Sequence, residues 1–350
     1  MSGAARLRVL LVDDSALSLG ELQHLLEGTG DFEVVGHARD GEQALREVMA
    51  LRPDAIVLDL QMPRMDGFTF LRLLMARRPT PVIVLSSNSR RADVFKSLEL
   101  GALDFVAKPE RGGLEAVREE LLAKCAVVRA LRLENLAGHS RPDHEPVDPR
   151  PLVEPARVAV IGASTGGPQA LQELLGALPG ELPLAVLVAQ HMPAKFTRAF
   201  ADRLGRTSAF TVAEAGDGDL VAAGRVLVAP GGHHLELRRE RGSGALRVAL
   251  AAPDAGGFSG HYCPSIDRLF TSAALTIPRR LCGVVLTGMG NDGAAGLQAV
   301  KAAGGLTIAE SEMTAVIYGM PRAAVATGSV DVSLGLGQIA GRLVKFARDA

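Results

Sequence analysis

The hexapeptide Gly162-Ala163-Ser164-Thr165-Gly166-Gly167 closes an apolar run, RVAVIG (157–162), and is followed by the helical text PQALQELLGAL. A serine between glycines at a strand-to-helix turn fits the nucleophile elbow, in which the sharp turn exposes the hydroxyl. Amides at the start of the helix can stabilise an oxyanion. Pro168 costs little there, because its missing N–H would have no helical partner. A glycine-rich turn of this kind also fits a phosphate cradle. His191 follows the run LAVLVAQ (184–190), and Asp292 lies in LTGMGNDGAAG after the run LCGVV. Three strand ends thus offer a nucleophile, a base and an orienting carboxylate, the requirements of acyl transfer through a serine ester. His233 and His234 rival His191, and Asn-Asp-Gly is also an ordinary turn sequence. The chain order Ser, His, Asp differs from the Ser, Asp, His order of the α/β-hydrolases.

A second constellation precedes this one. Asp13 and Asp14 end the first apolar run, Asp59 the third, Ser86 the fourth and Lys108 the fifth, with Pro109 next. At the carboxyl ends of a doubly wound sheet these groups converge. Three carboxylates in one pocket repel each other. A hard divalent cation such as Mg²⁺ relieves the repulsion and neutralises an incoming phosphoryl group, whose oxygens a hydroxyl and an ammonium can also bind.

The elements that must hold these residues are legible as alternating apolar runs and amphipathic stretches. The first half has strand candidates at 8–12, 32–36, 54–58, 81–86 and 103–107, then a leucine-spaced helix pattern over 114–133. The second half has strand candidates at 157–162, 184–190, 225–230, 281–287 and 305–311, and a hairpin pattern over 231–252. Such alternation predicts parallel sheets covered by helices on both faces. Between the halves, five of the twenty residues 137–156 are proline, which predicts a stiff linker. The expected layout is a first domain over 1–133, a linker over 134–156 and a second domain over 157–350. At 350 residues, with 47% hydrophobic and 22% charged residues, each half can bury a core of its own. A net charge of -1 argues against a nucleic-acid partner and a basic recognition helix. Cys125, Cys263 and Cys282 form no Cys-x-x-Cys pair, no run reaches the ~18 apolar residues of a membrane span, and the apolar start (9–12) runs straight into Asp13. These features predict a reduced, cytoplasmic protein with neither a signal peptide nor membrane insertion.

Over 7–130 the text VLLVDDSAL, VLDLQMPRMDG, PVIVLSS and GALDFVAKP resembles the response-regulator receiver family. The resemblance implies a flavodoxin-like fold in which Asp59 accepts phosphate from a chemosensory histidine kinase. Asp13, Asp14 and Asp59 would hold Mg²⁺, helped by the Gln61 carbonyl, and Ser86, Lys108 and Phe105 would take the switch positions. Over 157–350 the text VAVIGASTGGPQAL, QHMPAKFTRAFADRL, VLVAPGGHHLEL, GVVLTGMGNDGAAGL and YGMP is similar to the protein-glutamate methylesterase domain of bacterial chemotaxis. That implies a Rossmann-like sheet and a cofactor-free site in which Ser164 is the nucleophile, His191 the base and Asp292 the orienter. Thr165 and Met289 would line the site. The implied activity is hydrolysis of glutamyl methyl esters on the cytoplasmic domains of methylated chemoreceptors, with deamidation of receptor glutamines beside it. The unphosphorylated receiver is expected to cover the Ser164 cleft. A binding-only output is the rival that loss of turnover in Ser164→Ala would exclude. One departure stands out: the family usually carries His-Arg-Pro-Ser-Val-Asp where this chain has His261-Tyr262-Cys263-Pro264-Ser265-Ile266-Asp267. Loss of the arginine fork is expected to alter receptor recognition and to leave the triad untouched.

Overall fold

The structure, a computed structural model, describes residues 5–87, 91–109, 113–131, 153–253 and 262–349. The chain separates into two compact units, Met1–Gly138 and His139–Ala350. Most of the expected linker, and His261, lie outside the described residues.

The first unit alternates β1 (Leu7–Val12), α1 (Ala16–Glu27), β2 (Phe32–Ala38), α2 (Gly41–Leu51), β3 (Ala55–Leu58), α3 (Gly67–Arg77), β4 (Val82–Ser87), α4 (Arg91–Glu99), β5 (Asp104–Lys108) and α5 (Arg118–Ala126). Its five strands are parallel in the order β2-β1-β3-β4-β5, so the chain reverses its winding between β1 and β3. Val9 to Val12 and all of β3 are buried, as expected of strands covered on both faces. Ser15, Asp40 and Asp66 cap α1, α2 and α3 by accepting an amide two or three residues into the helix, each worth about 1 kcal/mol. The single helix expected over 114–133 is instead a 3₁₀ turn at Leu114–Val117, then α5, then a second 3₁₀ turn at Val127–Ala130. Val117 leaves helical geometry at φ -116°, ψ 12°, which divides the run.

The second unit runs β6 (Arg157–Ala163), α6 (Gly167–Gly176), β7 (Leu184–Gln190), α7 (Ala194–Thr207), β8 (Thr211–Glu214), β9 (Arg225–Val228), β10 (His234–Arg239), β11 (Leu246–Ala251), α8 (Ile266–Thr276), β12 (Leu281–Val285), α9 (Ala294–Ala302), β13 (Leu306–Glu310), α10 (Met320–Ala326), β14 (Val332–Leu334) and α11 (Leu336–Arg348). Seven strands form one parallel sheet in the order β14-β13-β12-β6-β7-β9-β8. β10 and β11 pair antiparallel as the expected hairpin. Strand β6 is central, with β7 on one side and β12 on the other, so the winding reverses at β6 and opens a crevice beyond its carboxyl end. Side chains of β6, β7, β12 and α8, among them Val160, Leu187, Val285, Leu269 and Phe270, share one buried cluster beneath that crevice. β8 and β14, which the apolar pattern did not predict, are short edge strands with no fully buried residue.

Candidate active site and phosphoacceptor pocket

Strand register brings Ser164, His191 and the Asp292 loop together. Ala163 lies opposite Gln190 and Gly162 opposite Val285, so the first residues beyond β6, β7 and β12 are neighbours. The amide of His191 donates to the Ala163 carbonyl at 3.0 Å, and that of Ser164 to the Thr287 carbonyl at 3.0 Å. Gly166 turns the chain into α6 at φ 78°, left-handed geometry that costs a side-chain-bearing residue energy. Ser164 is half-buried and faces Gly288, where an added Cβ would lie 2.7 Å from the Cβ of Ser164. A side chain at 288 would therefore crowd both Ser164 and the Met320 sulfur.

His191 Nε2 lies 2.9 Å from Asp292 Oδ2. A carboxylate accepts, so Nε2 carries the proton and the buried, unpartnered Nδ1 is left as the basic nitrogen. Asp292 is 7% exposed, yet each oxygen is satisfied. Oδ2 also accepts the Ile266 amide at 2.8 Å; Oδ1 accepts the Asp267 amide at 2.9 Å and the Ser265 hydroxyl at 3.3 Å. These are the first amides of α8, where the helix dipole favours an anion. Burial works to raise the Asp292 carboxyl, but the hydrogen bond and charge of His191 together with the two amides outweigh it and hold the group below the usual range. Asp267 returns the arrangement by accepting the Gly293 and Gly296 amides at 2.9 and 2.6 Å at the start of α9. Burial, reinforced by the neighbouring Asp292, pushes the Asp267 carboxyl up.

Thr165 is buried beside the elbow, its carbonyl accepting the Thr287 hydroxyl at 2.9 Å, and Met289 is half-buried in the Asp292 loop. Of the rival histidines, His233 is exposed. His234 is buried and committed: Nδ1 accepts the Ser265 amide and Nε2 meets the Pro253 carbonyl, both at 3.1 Å. Two residues that the motif reading passed over, and one that it noted only as a departure from the family text, support the site. Gln190 is 2% exposed, and its Nε2 donates to the carbonyls of both Ser164 and His191, at 2.9 and 3.1 Å. Glu310 is 1% exposed and accepts the Thr287 amide at 2.8 Å and the Thr314 hydroxyl at 3.0 Å, yet burial pushes it up to about 7. The signal for both was a polar side chain ending a strand whose preceding residues are buried, where it must have a partner. The third is Tyr262, whose ring stacks on His191 with centroids 4.2 Å apart and planes 2° from parallel. The departure from the family's His-Arg pair therefore touches His191, where the sequence led us to expect the three residues Ser164, His191 and Asp292 to be untouched by it. Ser265 and Ile266 tie the start of α8 to Asp292.

In the first unit, carboxylate oxygens of Asp13, Asp14 and Asp59 lie within 4.8 Å of one another at the β1/β3 reversal. Asp13 is buried and Asp14 exposed. Lys108 Nζ donates to Asp13 Oδ2 at 2.9 Å and to Asp59 Oδ2 at 2.6 Å. Burial raises the Asp13 carboxyl despite Lys108. Burial likewise opposes the Lys108 charge, but the two carboxylates win and hold its ammonium up. An oxygen-only, partly open cluster with a surplus of negative charge fits a hard divalent cation. Ser86, buried, pairs with Ala107 on β5, one residue before Lys108, and Phe105 is buried two strand positions earlier. Gln61 donates its amide to Asp59 Oδ1 at 3.1 Å.

A five-stranded doubly wound unit with an acidic pocket, followed by a seven-stranded parallel unit with a serine elbow, defines a receiver-type module coupled to a hydrolase-type module. The family model described as CheB methylesterase matches residues 159–343, and that described as response regulator receiver domain matches 9–118. The chain belongs to the CheB methylesterase family. It is 69% identical, across 98% of its length and 97% of the relative's, to "Protein-glutamate methylesterase/protein-glutamine glutaminase 6" of Anaeromyxobacter dehalogenans. It is 49% identical, across 99% of both chains, to "Protein-glutamate methylesterase/protein-glutamine glutaminase 1" of Myxococcus xanthus. The crystal structure of the Thermotoga maritima CheB methylesterase catalytic domain superposes with a TM-score of 0.52 at 38% identity, covering 54% of this chain and 97% of that one. Among the described residues no helix is long and apolar enough to cross a membrane.

Proposed function

We propose that the chain hydrolyses glutamyl methyl esters of methylated chemoreceptors, releasing methanol, and deamidates receptor glutamines at the same site, under control of phosphorylation at Asp59. The His191–Asp292 pair beside the elbow is the observation that carries the catalytic assignment. Ser164 Oγ attacks the ester carbonyl as Nδ1 of His191 takes its proton. Catalytic hydrogen bonds of this kind tighten when substrate arrives, which is how the unpartnered Nδ1 and the hydroxyl come to meet. The oxyanion forms against the start of α6, with Thr165 and Met289 lining the site. Methanol leaves with the proton from Nδ1; water, deprotonated by the same nitrogen, releases the free glutamate. Asp292 keeps the proton on Nε2 and stabilises the imidazolium in both steps. Amide nitrogen is the poorer leaving group, so deamidation is the slower reaction.

In the receiver unit Asp13, Asp14 and Asp59 would hold Mg²⁺, with the Gln61 carbonyl. The ion supplies charge neutralisation for the phosphoryl group. Lys108 and Ser86 bind phosphoryl oxygens on Asp59, and burial of Phe105 follows the state of Ser86. The phosphate comes from a chemosensory histidine kinase.

The test is methanol release from methylated receptor membranes by the full chain, with and without a small phosphodonor. The expected result is release that the donor stimulates and that Ser164→Ala abolishes. Release undiminished in Ser164→Ala would overturn the nucleophile assignment, and no release by the wild type, phosphorylated or not, would leave a binding protein.

A further inference from the structure

We infer that Tyr262 is a positioning residue for the base of this chain: its ring fixes the plane of the His191 imidazole and stabilises the imidazolium. The inference rests on Ser164, His191 and Asp292 forming the ester-hydrolysing set. Asp292 holds His191 at one atom, Nε2, while Nδ1 has no partner. The ring is tethered only through its Cβ and this one hydrogen bond, so it can still turn about the line joining them. Nδ1 must nevertheless stay aimed at the elbow to accept the serine proton. The Tyr262 ring, 4.2 Å away and within 2° of parallel, supplies the missing constraint, since rotation of the imidazole about the Nε2 contact would drive it into the tyrosine face.

The stack also acts on charge. The face of an aromatic ring carries negative potential, so it attracts the imidazolium more than the neutral imidazole. The cation exists only while the serine or water proton resides on His191, so the gain falls in the transition states and appears in kcat rather than in substrate affinity. Tyr262 is itself held in place. It directly precedes Cys263-Pro264-Ser265, the segment that Asp292 and His234 tie down through Ser265. Its hydroxyl lies over Gly290, where an added Cβ would come within 3.2 Å of the oxygen. A histidine at this position, as in the family's usual motif, is smaller and can itself become cationic, which would oppose the imidazolium. Tyrosine gives a neutral face.

The experiment compares full-length wild type, Tyr262→Phe and Tyr262→Leu for methanol release, separating kcat from KM, with the His191 ring protons followed by NMR. If the ring positions the base, Tyr262→Phe keeps kcat within about twofold of wild type. Tyr262→Leu loses about tenfold in kcat at unchanged KM. The His191 ring protons, shifted upfield by the stacked aromatic, move downfield in Tyr262→Leu alone. An unaltered kcat in Tyr262→Leu, a change confined to KM, or equal damage by Phe and Leu would overturn the inference. A wild type that turns over nothing would overturn the proposed activity instead, and the two failures are thereby distinguished.

Discussion

Asp13 and Asp292 are both aspartates beyond the carboxyl end of a central parallel strand, both almost fully buried, and their carboxyl groups are displaced in opposite directions. Asp292 meets its compensation already installed: two amides at the start of α8, a serine hydroxyl and the His191 N–H, all aimed at its oxygens. Asp13 has one backbone amide, that of Ser15 at 2.9 Å, and shares Lys108 with Asp59. Burial wins at Asp13 and loses at Asp292. Asp292, the proposed orienter of His191, is satisfied by fixed dipoles and in that role needs no reorganisation during the reaction. The acidic cluster of the first unit, the proposed phosphoacceptor site, is left short of positive charge, which suits it to bind a cation and to respond when a phosphoryl group changes the balance.

The sharpest way to break this contrast is Asp292→Asn. If the amide NH₂ faces His191, Nε2 must become the acceptor and Nδ1 takes the proton, so the base is lost with little change in shape. The expected loss in kcat for methanol release is roughly 10³–10⁴-fold. A loss under tenfold would mean that Asp292 acts only as a cap for α8. On the other side of the comparison, Asp59→Asn removes the phosphoacceptor, and the expected outcome is complete loss of phosphodonor stimulation in the same assay. Persisting stimulation would place the acceptor elsewhere.

A third carboxylate tests burial without a built-in cation or histidine. Glu310 is pushed up to about 7, so the folded chain holds its proton more tightly than the unfolded chain does. Stability from this group is therefore fully present below its ordinary pKa of 4.5 and is lost as pH rises toward 7, by about 3 kcal/mol in total. Glu310→Gln is expected to raise Tm at pH 8 and to leave it nearly unchanged at pH 4; an equal shift at both pH values would contradict ionisation as the cause. The smallest effect is expected at Gln190. Gln190→Leu removes the donor shared by the Ser164 and His191 carbonyls and should lower kcat about tenfold, the worth of one buried hydrogen bond of about 1.4 kcal/mol. Unchanged kcat would show that strand pairing alone holds the two backbones.

The apolar runs disclosed the strands that carry chemistry, because a strand buried on both faces must be apolar throughout, as β7 is. β8 and β14 escaped because edge strands with half-exposed side chains leave no such run. The strand expected to reach Pro230 stops at Val228, since proline has no N–H for the ladder. Ser164, His191 and Asp292 could be named from the ends of their strands. The cage around Asp292 could not, because the residues that build it, Ser265 to Asp267, read locally as nothing more than a helix start. The stack of Tyr262 on His191 likewise joins residues 71 positions apart, a contact no local spacing reports.

In the proposed mechanism Ser164 is a nucleophile activated through His191 by Asp292. Covalent labelling of the full chain with a fluorophosphonate, mapped by peptide mass spectrometry, tests it most directly. The expected result is a single adduct on Ser164, formed in Asp292→Asn more slowly by about the factor lost in turnover. An adduct on another residue, or a labelling rate indifferent to Asp292→Asn, would contradict it.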